Sequence, residues 1–172
     1  MLFVITGNGK GKTTSALGMV ARAEGQGMKC AVLQFIKADP SALGEYKTFS
    51  KLGVAWESWG DGFTWNVKDV PALMQKCENG WNSFVEKALS GRYSMIVLDE
   101  FTYVLTYGYL DSHKVVSFLS ENKNREGFPH VVITGREAPK EIVDLADTVS
   151  EIQEIKHHYH ANGGKVVKGI EL

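Results

Sequence analysis

Cysteine, proline and net charge are all scarce in this chain. The 172 residues include two cysteines and four prolines, and the formal net charge is -1. Cys30 and Cys77 form no CxxC pair and have no metal-ligand spacing, so a disulfide framework or a thiolate metal site is not expected. Without an excess of lysine and arginine there is no broad basic surface, which argues against a nucleic-acid partner. No apolar run approaches the ~18 residues that a membrane span needs. The opening MLFVITGNGKGK has a short apolar run with no basic region ahead of it, unlike a secretion signal. These absences lead us to expect a cytoplasmic protein with two reduced thiols.

Hydrophobic residues make up 44% of the chain and charged residues 23%, the balance of a soluble globular protein. One domain over 1–172 is expected. Leu2 to Thr6, Cys30 to Ile36, Tyr93 to Leu98 and His130 to Thr134 are short, nearly continuous apolar runs, as in strands buried on both faces. Val54 to Trp59 and Val149 to Ile155 complete the expected strands. Helical periodicity begins at Lys12, with Ala16, Leu17, Val20 and Ala21 on one stripe, and ends at Gly25 and Gly27. It recurs over Val70 to Leu89, Ser112 to Ser120 and Pro139 to Leu145. Lys37 to Glu45 and Phe63-Thr64-Trp65 read as loops, the latter after an Asp61-Gly62 turn. Strands alternating with helices predict βαβ units: an α/β fold with a mostly parallel sheet covered on both faces.

The most specific motif is Gly7-Asn8-Gly9-Lys10-Gly11-Lys12-Thr13-Thr14, between the first strand and the first helix. This is the setting of a phosphate-binding P-loop. Glycines let the backbone turn with N–H groups inward, and the helix N-terminus adds partial positive charge. Lys12 supplies a full charge to phosphate oxygens, and the Thr13 hydroxyl is placed to ligate Mg2+. Gly7 and Gly11 enclose three residues, where the common motif has four, and Thr6 stands where the first glycine is usual. The loop is therefore tighter than in ordinary NTPases, and phosphates are expected in an unusual register.

Asp99-Glu100 follows an apolar strand in the Walker B manner, and either carboxylate is a candidate for Mg2+. Arg136, in Thr134-Gly135-Arg136, also lies just beyond a strand end, where ligands bind in open α/β sheets. Arg22 reads equally as a surface charge and as a nucleotide contact. His157, His158 and His160 read as solvated. These motifs suit a kinase, an ATPase or a RecA-like binding module.

Further residues narrow the choice. TGNGKGKTT at Thr6 to Thr14 is followed by Gln34-Phe35-Ile36-Lys37, Gly62-Phe63-Thr64-Trp65, and Val97-Leu98-Asp99-Glu100 with Thr102-Tyr103. Ile133-Thr134-Gly135-Arg136, Asp144-Leu145-Ala146-Asp147, Lys156-His157 and Gly169-Ile170-Glu171 come next. In this order the set closely resembles the ATP:corrinoid adenosyltransferases of the CobA/BtuR type, from about residue 3 to residue 171.

That resemblance implies a RecA-like P-loop fold, usually in a homodimer. It also implies transfer of the 5′-deoxyadenosyl group of ATP to the Co(I) centre of a corrinoid, with triphosphate released. ATP is expected in a reversed sense along the short loop. By motif position, Phe63 and Trp65 occupy the lower face of the corrin and displace an axial ligand, easing reduction of Co(II). Read from the residues alone, these two are ordinary core aromatics. A flavoprotein reductase is an expected electron source. Longer family members carry a segment before the first strand that closes over the corrinoid. Here the first strand begins almost at Met1, so a more open cleft or another lid is expected. Ala38 stands where a glycine is frequent.

Overall fold

The computed structural model describes residues 1–37, 39–60, 62, 69–161 and 163–170. Phe63, Thr64 and Trp65 lie outside the described residues, as does Ala38. The strands are β1 (Leu2–Thr6), β2 (Cys30–Phe35), β3 (Ala55–Trp59), β4 (Met95–Asp99), β5 (His130–Thr134) and β6 (Thr148–Glu151). The helices are α1 (Lys12–Gly25), α2 (Gly44–Lys51), α3 (Val70–Leu89), α4 (Phe101–Thr106), α5 (Ser112–Asn122), α6 (Lys140–Leu145) and α7 (His158–Ala161).

The described strands form a six-stranded sheet in the order β3-β2-β4-β5-β1-β6. Each neighbouring pair is parallel. β1 and β2 are consecutive in sequence yet stand apart, with β5 and β4 between them. α1 makes that crossover and packs over β1, β5, β4 and β2. Its N-terminus thus lies at the carboxyl edge of the sheet, where such folds bind ligands.

Alternation along the strands divides the core. Ile5, Val32, Val97 and Val132 pack with Ala16, Leu17 and Val20 of α1 and Phe49 of α2. Leu33, Phe35, Ile96, Leu98 and Ile133 face the other way, against Trp81, Phe84, Phe101, Val115, Leu119 and Ile142. α3 is capped by Asp69, whose carboxylate accepts from Ala72 N–H at 3.0 Å. It buries Leu73, Cys77, Gly80, Trp81, Phe84 and Ala88.

The segment read as a loop over Lys37 to Glu45 instead holds a 3-10 turn at Pro40–Ala42 and the start of α2. α2 has no side-chain cap and one buried residue, Phe49. It therefore lacks both the cap and the apolar stripe that make a helix legible. α4 follows β4 after Glu100 alone, whose left-handed backbone (φ 60°) makes the turn. The apolar FTYVLT run carries no break signal of its own. The last strand stops at Glu151, short of the expected Ile155. Beyond it Ile152 turns over the phosphate loop, its carbonyl accepting from Gly9 N–H at 2.7 Å.

Candidate active site

The loop between β1 and α1 gets its shape from glycines at tight approaches. Gly7 has φ 97° and Gly11 φ 118°, the left-handed region that side chains disfavour. A Cβ on Gly7 would lie 2.5 Å from the Ile152 carbonyl oxygen, and one on Gly9 2.6 Å from the Gln153 carbonyl oxygen. The tail of β6 therefore lies directly against the loop. Gly9 N–H is spent on Ile152, which corrects the expectation that this amide points inward. Gly7 is buried and lies outside the cleft lining, so its part is to shape the turn.

α1 starts at Lys12 with Gly11 as N-cap, no side-chain cap and no acidic residue in its first turn. Its first amides are thus uncompensated by side chains, the standard condition for anion binding at a helix start. They open into a cleft of about 730 Å³ lined by Asn8, Gly9, Lys10, Gly11, Lys12, Thr13 and Thr14. The opposite walls include Lys37, Glu45, Phe49, Glu100, Arg136, His157 and Ile170. Lys12 Nζ donates to the Gly9 carbonyl at 2.7 Å. Burial first, then the Arg136 guanidinium, lowers the Lys12 ammonium from its ordinary value, against the pull of Glu100 and Asp99. A polyanion in the cleft would restore its preference for the charged form.

Asp99, the last residue of β4, is fully buried. Its Oδ1 accepts from Thr13 Oγ1 at 2.8 Å and from Thr134 Oγ1 at 2.7 Å, and its Oδ2 accepts from Gln34 Nε2 at 3.1 Å. Thr134 Oγ1 also accepts from Glu100 N–H at 3.0 Å, holding the left-handed turn that swings Glu100 toward the cleft. Burial, then the Asp99 charge, pushes the Glu100 carboxyl above its ordinary range. Lys37 Nζ stands 3.8 Å from Glu100 Oε1. Thr102 Oγ1 donates to the Arg136 carbonyl at 2.6 Å, so the start of α4 fixes the turn that carries Arg136.

The structure therefore brings Asn8 to Thr14, Glu100 and Arg136 to one cleft, with Asp99 bonded to Thr13 beneath it. Arg22 is exposed in the last turn of α1 and outside that lining. Of the site residues read from the sequence, it stands apart from the group that lines the cleft. His157, read as solvated, lines the cleft. Gln34 and Thr134, which anchor Asp99, were not singled out as site residues. The available signals for Gln34 were one amide inside the otherwise apolar run CAVLQFI and its place in the Gln34-Phe35-Ile36-Lys37 string.

A short glycine loop opening a helix, with a strand-end carboxylate bonded to the loop threonine, makes this a P-loop nucleotide-binding protein. Its fold resembles that of a KaiC-like protein from Pyrococcus horikoshii OT3, with a TM-score of 0.51 at 14% identity over 91% of this chain and 74% of that one. More particularly, residues 1–172 match the family model described as ATP:corrinoid adenosyltransferase BtuR/CobO/CobP, and the chain belongs to that family. It is 41% identical to the corrinoid adenosyltransferase CobA of Salmonella typhimurium over 99% of this chain and 85% of the relative. A corrinoid adenosyltransferase of Pseudomonas aeruginosa is 40% identical over 100% of this chain and 83% of the relative. One of Escherichia coli K12 is 38% identical over 99% and 85%.

Proposed function

We propose that the cleft holds the triphosphate of ATP on residues 8 to 14 while the 5′-deoxyadenosyl group passes to the Co(I) centre of a corrinoid. The observation that carries this reading is the uncapped start of α1 beside Lys12 and the Thr13–Asp99 bond, in a chain of this family. Co(I) is itself a strong nucleophile, so no protein side chain need attack. Its electron pair forms the Co–C5′ bond while the C5′–O bond breaks, and that bonding pair leaves on triphosphate. The protein's part is to orient the two substrates in line and to stabilise charge on the leaving oxygen. Lys12, Arg136 and the first amides of α1 are the groups for that work.

Mg2+ suits the oxygen donors here. The Thr13 hydroxyl and the Asp99 carboxylate lie 2.8 Å apart, with Glu100 adjacent, and Mg2+ takes few protein oxygens beside phosphates and water. Among the described residues no cluster of three or more His, Cys, Asp or Glu is present. When bound, the ion would neutralise charge on the departing phosphates.

Phe63 and Trp65 are the proposed apolar face beneath the corrin, offering cobalt no axial ligand and so easing its reduction. A homodimer in the cytoplasm, supplied with electrons by a flavoprotein, completes the reading on family grounds. Among the described residues no helix is long and apolar enough to cross a membrane.

The test is incubation with ATP, Mg2+ and chemically reduced corrinoid. Loss of the Co(I) spectrum with formation of a light-sensitive Co–C bond is the expected result. ADP and phosphate formed without corrinoid would instead indicate an ATPase. Phe63→Ala and Trp65→Ala should impair turnover from Co(II) at least ~10-fold more than turnover from pre-reduced Co(I), since axial ligation helps set metal potential. Equal losses in the two assays would refute their role.

A further inference from the structure

Among the described residues, the buried polar side chains are Gln34, Asp99, Thr102 and Thr134. Three of them, with Ser58, form a row along the carboxyl edge of the sheet. Gln34 is in register with Ser58 on β3 and with Asp99 on β4, and Asp99 bonds onward to Thr134 on β5. By alternation with Val32 and Val97, which pack under α1, Gln34 and Asp99 face the start of α1. Gln34 sits between Leu33 and Phe35, fully buried like both. Among the described residues its Oε1 is buried with no hydrogen-bond partner, so within that set the residue pays the desolvation cost of an amide for a single bond, Nε2 to Asp99 Oδ2 at 3.1 Å. An apolar β-branched side chain would suit the core better. What the amide adds is control of one carboxylate: Thr13 and Thr134 hold Oδ1, and Gln34 alone among the described residues holds Oδ2.

We infer that Gln34 is a positioning residue of the metal site, its amide holding the Asp99 carboxylate in the orientation that supports Mg2+-assisted nucleotide binding. This rests on the reading that Asp99 serves Mg2+. Hydrogen-bond partners of a ligating carboxylate set its orientation, and losing one weakens metal binding about 10- to 100-fold.

The experiment measures ATP affinity by calorimetry with saturating Mg2+ and again in EDTA, in the full chain. The ratio of the two affinities is the Mg2+ coupling factor. Gln34→Met, similar in volume, should lower this factor at least about 10-fold or to unity, with affinity in EDTA little changed. Ser58→Ala, the next residue in the row, should leave it as in the parent chain. A folded Gln34→Met with the factor within about twofold of the parent, or an equal fall in Ser58→Ala, overturns the inference. If Gln34→Met does not fold, Gln34→Asn is read by the same criterion, because its shorter amide cannot reach Asp99. Failure of both to fold makes Gln34 a structural residue and also overturns it. Asp99→Asn separates the two levels: a factor that survives this change refutes the metal role of Asp99 itself, whereas one lost in Asp99→Asn and intact in Gln34→Met refutes only the role given to Gln34.

Discussion

In the proposed reaction, Lys12 is the residue on which phosphate binding turns. Its ammonium, bonded to the Gly9 carbonyl at 2.7 Å, faces the cleft beside Arg136. Removing a preorganised charge from a leaving-group site costs about 10²–10³-fold in turnover. Lys12→Ala should therefore lose at least that much with pre-reduced corrinoid, followed by Co(I) consumption, and full turnover would remove Lys12 from the site. The motif made Lys12 and Thr13 legible in sequence, because a strand, a glycine loop and a helix start coincide there. It did not separate Asp99 from Glu100. Adjacent residues at a strand end project in opposite directions, and only the register of β4 against β2 and β5 decides which one meets Thr13. Gln34 stayed hidden for the same reason: nothing local says that a residue 65 positions away in sequence lies across from it.

At the scale of elements, α1 and α3 were readable from their stripes, although Ala21, read on the α1 stripe, is exposed and Ala23 is buried instead; α2 and α4 were not readable. α2 lines the cleft through Glu45 and Phe49, and its stability comes from packing rather than from a sequence signal. α3 shows how close that packing is. A Cβ on Gly80 would lie 2.7 Å from the Trp59 ring and 2.8 Å from Phe35. Alanine is the better helix former by about 1 kcal/mol, yet forcing a methyl group against the buried Phe35 ring and the half-buried Trp59 ring costs about 1–3 kcal/mol. Gly80→Ala should thus show net destabilisation in urea unfolding. A stabilised variant would show that α3 stands farther from the sheet.

At the scale of the molecule, the alternation of strands and helices announced a parallel α/β fold, but not the order β3-β2-β4-β5-β1-β6. Strand order depends on pairings between distant segments. It matters here because β5 stands between the P-loop strand and the Asp99 strand, which brings Thr134 onto Asp99 and Arg136 to the cleft. The residues after β6 likewise return to the site, with Ile152 against Gly9 and His157 and Ile170 in the cleft wall.

The outer edge at β3 is tied down by charge. Burial alone would raise the Glu57 carboxyl, but hydrogen bonds from Lys87, Ser83 and Trp59 outweigh it and hold the group below its ordinary 4.5. A depressed carboxylate contributes stability that is fully present above 4.5 and is lost as pH falls through the folded value. Glu57→Gln should therefore cost ~1–3 kcal/mol at pH 7, with the gap narrowing below pH 4.5 in parallel unfolding curves. A gap that is constant with pH would show that the hydrogen bonds do not depend on the charge.

In the proposed reaction the loop holds three phosphates that depart together from carbon. ATP labelled with 13C at C5′ tests it directly, with the products of a reaction with Co(I) corrinoid followed by 13C and 31P resonance. The label should move into a cobalt-bound methylene while the phosphorus leaves as intact triphosphate. Labelled carbon still in ADP, with free phosphate beside it, would mean that the chain transfers phosphate to water and not the adenosyl group to cobalt.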